Sequence, residues 1–161
     1  CMPIIRNIAV FQGLWFALVY FGDWMLAPAM LWFSWHIYQY STPMECRAIP
    51  IWIIGGLMMD QILSLLGILN YHEQTTAAIP LWMIGMWLAF STTLAHGFHW
   101  VWSQSPIWLL IGSIAAGATY VLGAQFAPLS IPFGIWPTLA ILTACWLLYF
   151  SFVRYVAFRS T

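Results

Sequence analysis

The sequence predicts an all-α fold, a polytopic membrane bundle of six transmembrane helices that forms a single domain over residues 1–161. Composition is the first reason, since 63% of the residues are hydrophobic and only 5% are charged. A soluble domain normally carries about 25% charged residues. The second reason is that six apolar runs are each long enough to cross a hydrocarbon core of about 30 Å. Short connectors separate the runs and leave no room for a soluble domain.

The predicted spans are bounded by turn and breaker residues such as Gly, Pro, Ser and Asn. They cover residues 5–22, 24–41, 49–69, 78–97, 106–125 and 135–157. The first span is expected to be retained, because further spans follow at once and no small-residue cleavage site follows it. Cys1 precedes Met2, which is expected to be the natural start, and the three cysteines form no close pair that predicts a disulfide.

The arginines predict the orientation of the bundle. With six spans, Arg6, Arg47, Arg154 and Arg159 all lie on one side of the membrane. Cytoplasmic loops carry the excess of basic residues, so both termini are predicted to be cytoplasmic. The sequence has no basic patch of the kind that binds nucleic acid, and the expected partners are membrane lipids, another membrane protein or a second copy of the chain.

Asp60 is the most unusual residue, because it stands near the middle of the third predicted span. About ten residues separate it from either end of that span, or roughly 15 Å along a helix. A carboxylate at that depth costs about 3 kcal/mol on insertion scales. Asp60 is therefore expected to face the bundle interior, to be protonated, or both. Gly56, Ser64 and Gly67 are predicted to share its helix face, which a neighbouring helix can approach closely.

Small and polar residues also recur on one face of the fourth and fifth spans. In the fourth span they are Gly85, Ala89, Thr92, His96 and His99, and in the fifth Gly112, Ala116, Thr119 and Gly123. These faces are predicted to be packing surfaces that bury Asp60 among polar groups.

Polar residues concentrate in the predicted cytoplasmic half of the bundle, which favours a cavity that opens toward the cytoplasm or the inner leaflet. We predict Asp60 and His96 as catalytic residues. The predicted substrate-binding residues are Asn7, Gln12, His36, Gln39, Thr92, Thr93 and His99.

Structural roles compete with these functional ones. Asp60 can simply tie helices together through hydrogen bonds, and His96 and His99 can be residues of the membrane interface. His72 and Glu73 are predicted to form a solvated corner on the outer side. His96 and His99 have H-x-x-H spacing, but a metal site ordinarily needs a third protein ligand, so no metal and no cofactor are predicted.

Four segments carry a resemblance to a known family: NIAVFQGLWFALV, GGLMMDQILSLLGIL, IPLWMIGMWLAFSTTLAH and GSIAAGATYVLGAQFAPL. Together they resemble a family of small bacterial inner-membrane proteins defined by a domain of unknown function. The resemblance covers nearly the whole chain and implies a six-helix layout in the bacterial inner membrane. The resemblance also implies a link to membrane lipids, because genes of this family are often found near genes for fatty-acyl chain modification. The matching positions are Asn7, Gln12, Trp15, Asp60, Trp82, Phe90, Thr93 and His96.

Three functions are compatible with the sequence. The preferred one is handling or modification of a membrane lipid or another hydrophobic substrate at a polar pocket around Asp60, which could act as a general base. A small transporter or substrate-binding membrane subunit could instead use Asp60 as a proton or cation site. In a structural or assembly subunit, the glycine faces would serve helix association. Coupled transport ordinarily needs more ionisable groups than one acid without an intramembrane Lys or Arg partner. This favours the lipid-handling function over transport.

Overall fold

The structure is a computed structural model that describes the backbone of residues 4–71 and 78–159 and the side chains up to residue 157. The predicted corner at His72 and Glu73 lies outside the described residues, as do Cys1 and the side chain of Arg159. Seven α-helices make up most of the described chain: α1 Ile4–Phe21, α2 Leu26–Tyr40, α3 Pro43–Leu65, α4 Leu81–Leu94, α5 His99–Ser103, α6 Pro106–Gly123 and α7 Ile135–Arg159.

Within the described residues, four helical segments are long and apolar enough to cross a membrane. They are Ile4–Tyr40, Pro43–Leu65, Pro106–Gly123 and Ile135–Ala157, while the apolar helix α4 has only 14 residues. The predicted all-α class is correct apart from one small antiparallel pair, β1 (Asn70–Tyr71) with β2 (Leu129–Ser130). The chain therefore has the helices of a membrane protein.

A turn splits the first segment into two helices that run in opposite directions. Gly22 has a φ of +59°, a left-handed conformation that glycine adopts without steric cost. A short 3-10 helix, Gly22–Met25, follows it and leads into α2. The Arg6 guanidinium, near the start of α1, donates a hydrogen bond to the hydroxyl of Tyr40 at the end of α2. We call this end of the bundle the Arg6 end.

The opposite end is fixed by Asp23, and we call it the Asp23 end. The Asp23 carboxylate accepts a hydrogen bond of 2.9 Å from the backbone N–H of Trp82, in the first turn of α4. A carboxylate at this position satisfies a helix N–H that has no partner within the helix. The ring of Tyr71 in β1 contacts that of Trp82, so the β1–β2 pair also lies at the Asp23 end.

The ends of α3 differ from the predicted span, which covered residues 49–69. The helix begins at Pro43 because Thr42 and Glu45 form a capping box, with hydrogen bonds of 3.3 and 2.7 Å. It ends at Leu65 because Gly67 takes up a φ of +69° and turns the chain. Gly67 was predicted to share a helix face with Asp60, and that prediction is wrong because Gly67 lies beyond the helix.

The predicted fourth span, 78–97, is also longer than the helix that forms. Because α4 ends at Leu94, His96 and His99 do not continue its small-residue face as predicted. The backbone turns after Thr93, where the N–H of Phe98 donates to the Thr93 carbonyl, and the short helix α5 follows. Gly85 does have the predicted packing role, since a Cβ there would lie 3.0 Å from Leu18 of α1 and 3.4 Å from Ala29 of α2.

Candidate functional site

Asp60 lies at the junction of three helices. Its side chain is 0% exposed. The Trp87 Nε1–H of α4 donates to its Oδ2 atom at 2.6 Å, and the Tyr120 hydroxyl of α6 donates to its Oδ1 atom at 2.8 Å. Each oxygen of the carboxylate therefore has a donor, and both donors come from other helices. No cationic side chain contacts Asp60 in the described part of the chain.

Gly56 makes room for the Trp87 ring. It is one turn before Asp60 on α3, and a Cβ at this position would lie 2.2 Å from Cζ3 of the indole. The indole also stacks on Trp146 of α7, with ring centroids 5.6 Å apart and an angle of 17° between the rings. Trp87 is therefore held between α3 and α7 with its N–H aimed at Asp60. The predicted close approach at Gly56 is made by an indole ring.

A cavity of about 250 Å³ lies beside this hydrogen-bond network. Its walls come mainly from α1, α4, α6 and α7. Ten of the lining side chains are aromatic, among them Phe11 and Trp15 of α1, Trp87 and Phe90 of α4, and Trp146 and Phe150 of α7.

Polar side chains are few in the cavity wall. Among the described residues they are Gln12, Thr119 and Tyr120, and none of the described lining residues is Asp, Glu, Lys, Arg or His. Asp60 itself does not line the cavity, because Trp87 and Tyr120 lie between its carboxylate and the cavity. The chemistry of the carboxylate therefore reaches the cavity through these two side chains.

The predicted small-residue face of α6 lines the cavity, since Gly112, Ala116, Thr119 and Gly123 all belong to its wall. A Cβ on Gly112 would also lie 2.3 Å from Val101 of α5, so this glycine packs against a neighbouring helix as well. The opposite wall belongs to α1, and α1 and α6 do not pack closely against each other within the described residues.

Three of the predicted substrate-binding residues at the Arg6 end make hydrogen bonds to backbone groups. Asn7 is 0% exposed, and its amide donates to the Thr92 carbonyl at 3.2 Å and accepts from the Gly97 N–H at 3.1 Å. The hydroxyls of Thr92 and Thr93 are buried and donate to the carbonyls one turn earlier, at 2.7 and 2.6 Å. Asn7 thus joins the start of α1 to the end of α4.

The structure brings His96 together with His36 and leaves both apart from Asp60. Their ring centroids are 4.9 Å apart. His36 is 0% exposed, and neither of its ring nitrogens has a partner within the described residues. His99 is exposed and contacts the Ser103 hydroxyl at 3.1 Å. No three His, Cys, Asp or Glu residues lie close enough to hold a metal in the described ranges.

The remaining two predicted site residues differ in their positions. Gln12 lines the cavity and is exposed, and Gln39 is exposed on α2. The residues that sequence reasoning missed are Trp87 and Tyr120. The sequence contained a signal for them, because a Trp or Tyr inside an apolar span needs a partner for its N–H or O–H group. The carboxylate of Asp60 is the acceptor for both.

Comparison with known proteins identifies the family. The family model described as Protein of unknown function (DUF2878) matches residues 4–152. No curated protein and no solved structure matches the chain. The resemblance seen in the sequence is confirmed: the chain belongs to the DUF2878 family of proteins of unknown function.

Proposed function

We propose that this protein binds a membrane lipid, or another hydrophobic molecule of similar chemistry, in the cavity beside the Asp60 network. The observation that carries the proposal is an aromatic cavity of about 250 Å³ whose wall, as far as the described residues form it, has no charged side chain. Ligand sites are typically clefts of about 300–1,000 Å³ with mainly apolar and aromatic walls. This cavity lies just below that size range and has the wall chemistry of a site for a hydrophobic ligand. An ion or a strongly hydrated solute would lose its water there and find few hydrogen-bond partners in exchange.

Access from the bilayer follows from the position of the cavity. It lies between α1 and α6, whose lining residues include side chains at the outer surface: Ile111 is 43% exposed and Leu122 is 47% exposed. A hydrophobic molecule can pass between these helices without crossing water. The sequence predicted a polar pocket open toward the cytoplasmic half; we now place the ligand in this apolar cavity.

Asp60 is assigned a positioning role in this proposal. It fixes the Trp87 ring and the Tyr120 hydroxyl, which are both part of the cavity wall. Any proton exchange between Asp60 and a ligand would pass through Tyr120, because the carboxylate does not line the cavity. His96, the second predicted catalytic residue, does not line it either, and no role in ligand binding is assigned to it.

We propose that six helices cross a bacterial inner membrane, with both termini in the cytoplasm. The antiparallel pair α1 and α2 supports two crossings within the Ile4–Tyr40 segment. Cys46 at the Arg6 end is exposed and free. A membrane-impermeant maleimide added to whole cells should leave Cys46 unmodified, whereas it should modify a cysteine introduced as Gln125→Cys at the Asp23 end. Modification of Cys46 in whole cells would show that the protein has the opposite orientation.

Ligand binding is tested by filling the cavity from α6. Ala115 lines the cavity, and Ala118 on the same helix is exposed and does not line it. Ala115→Trp should remove lipid that copurifies with the protein, measured by native mass spectrometry, while Ala118→Trp should retain it. Equal lipid content in both variants would contradict the proposal.

The consequence in cells is tested separately. Mass spectrometry of the membrane lipids should show a changed lipid profile on deletion of the gene. Asp60→Asn should give part of the same change. An unchanged profile on deletion would exclude lipid modification while leaving lipid binding in place.

A further inference from the structure

Asp60 lacks a neutralising partner of opposite charge. A charged group that is buried in protein is ordinarily paired with an opposite charge or bound to a metal. The two groups that contact this carboxylate, Trp87 and Tyr120, are neutral donors, and no cationic side chain joins them within the described residues. Their hydrogen bonds reduce the cost of burial and leave the net charge of the cluster unchanged.

The cavity is the space from which a positive charge could approach this cluster. Trp87 and Tyr120 both line it, so a ligand in the cavity is one side chain away from the carboxylate. No Lys, Arg or His among the described residues lines the cavity to repel a cation. The described wall thus has the carboxyl group of Asp60 behind it, without a cationic partner, and no positively charged side chain of its own.

Aromatic side chains are suited to hold such a cation. The face of an aromatic ring is negative and attracts an ammonium group within about 6 Å of the ring centroid, most strongly for Trp. Trp87 and Trp146 stack on each other at the cavity, and Phe90 meets Trp87 edge-on with centroids 5.6 Å apart. Donation of the Trp87 N–H and Tyr120 O–H to a carboxylate also shifts electron density toward their rings, because bonded groups polarise one another.

We propose that the ligand of this cavity carries an alkyl-substituted ammonium group on an apolar body. The inference rests on the proposed function, because it assumes that the cavity binds a hydrophobic molecule. Two sources supply this chemistry: a free lipophilic amine, and a lipid with an ammonium headgroup. The second also brings a phosphate, which finds no cationic side chain among the described residues of the cavity wall.

A pair of probes with the same shape and different charge tests the proposal. Benzyltrimethylammonium and its uncharged carbon isostere, neopentylbenzene, are measured by equilibrium dialysis against the full-length protein in nanodiscs, with binding to empty nanodiscs subtracted. The cation should bind about tenfold more tightly than the isostere. Equal binding, or preference for the isostere, overturns the inference.

The same measurement separates this inference from the proposed function. If only the isostere binds, the cavity takes hydrophobic ligands and the charge assignment is wrong. If neither probe binds, the cavity itself is not a ligand site and both proposals fail. Competition by lysophosphatidylcholine identifies a lipid headgroup as the source of the ammonium group, and lack of competition identifies a free amine.

Two variants locate the origin of the selectivity. Asp60→Asn removes the charge and should lower the affinity for the cation to that of the isostere, whose affinity should not change. If Asp60→Asn does not fold, Phe90→Leu removes one ring from the cavity wall and retains both hydrogen bonds of Asp60. Phe90→Leu should lower the affinity for the cation several-fold more than the affinity for the isostere. An equal loss of affinity for both probes contradicts cation recognition by the aromatic wall.

Discussion

The indole of Trp87 donates its N–H to Asp60 at 2.6 Å while its ring lies against the backbone of Gly56, one helical turn away on α3. Both contacts depend on the absence of a side chain at position 56. The small-residue face of α3 and the carboxylate of Asp60 thus act together, because the glycine leaves room for the indole ring whose N–H donates to the carboxylate. The surroundings of Asp60 are set by this fit and by the hydroxyl of Tyr120 on α6.

Gly56→Ala should therefore destabilise the protein. The new Cβ would lie 2.2 Å from the Trp87 ring, which is stacked on Trp146 and has little freedom to move. Forced overpacking of this kind costs about 1–3 kcal/mol in the free energy of unfolding. Gly13 of α1 is the matched control, since a Cβ there meets nothing within 4 Å and alanine favours helix by about 0.5–1 kcal/mol. Unfolding in mixed SDS micelles measures both, and a neutral Gly56→Ala would show that Trp87 is free to shift.

Tyr120→Phe removes only the hydroxyl that donates to Asp60. The Oδ1 atom of the carboxylate then loses its donor in a site that water does not reach, which should cost about 1–3 kcal/mol of stability. Tyr38→Phe makes the same chemical change on a side chain that is 88% exposed and should have little effect. If the two variants unfold at the same SDS fraction, the hydrogen bond to Asp60 has no role in stability.

Asn7→Ala should weaken the joint between the start of α1 and the end of α4. It leaves the Thr92 carbonyl and the Gly97 N–H without their side-chain partner in a buried position, at a cost of about 1–3 kcal/mol. The exposed Gln39 of α2 was predicted alongside Asn7 as a substrate-binding residue, and Gln39→Ala should be nearly neutral. Proteolysis at the α4–α5 turn should increase in Asn7→Ala alone, and equal sensitivity in both variants would contradict this role.

His36→Phe should leave stability unchanged or increase it. The ring is fully buried against Trp32, Tyr40 and His96, and its nitrogens have no partner within the described residues. A buried polar group without a partner favours the unfolded state, and phenylalanine keeps the ring and removes that cost. His99→Phe, at an exposed position, is the reference for a neutral change. A loss of more than about 1 kcal/mol in His36→Phe would contradict this expectation.

Much of the architecture is readable from the sequence, because it depends on composition and period. Apolar runs long enough to cross a bilayer core predict the helices, and the scarcity of charged residues predicts that these helices lie in a membrane. The sequence predicted Asp60 in the middle of its span, but α3 runs from Pro43 to Leu65, and Asp60 lies near its C-terminal end. The helix ends were less accurate, since the left-handed Gly67 and the capping box at Thr42 act within single turns and outweigh the extent of the apolar run.

The sequence by itself therefore determined an apolar all-α chain of the DUF2878 family with a carboxylate inside an apolar helix. Only the tertiary structure decided what that carboxylate meets. Trp87 and Tyr120 are 27 and 60 residues away from Asp60, and periodicity identifies the face of a helix without specifying which helix packs against it or at what height. The aromatic cavity has the same origin, because it is the space that remains where α1 and α6 do not close on each other. Such a space is a property of packed helices together, and no single segment encodes it.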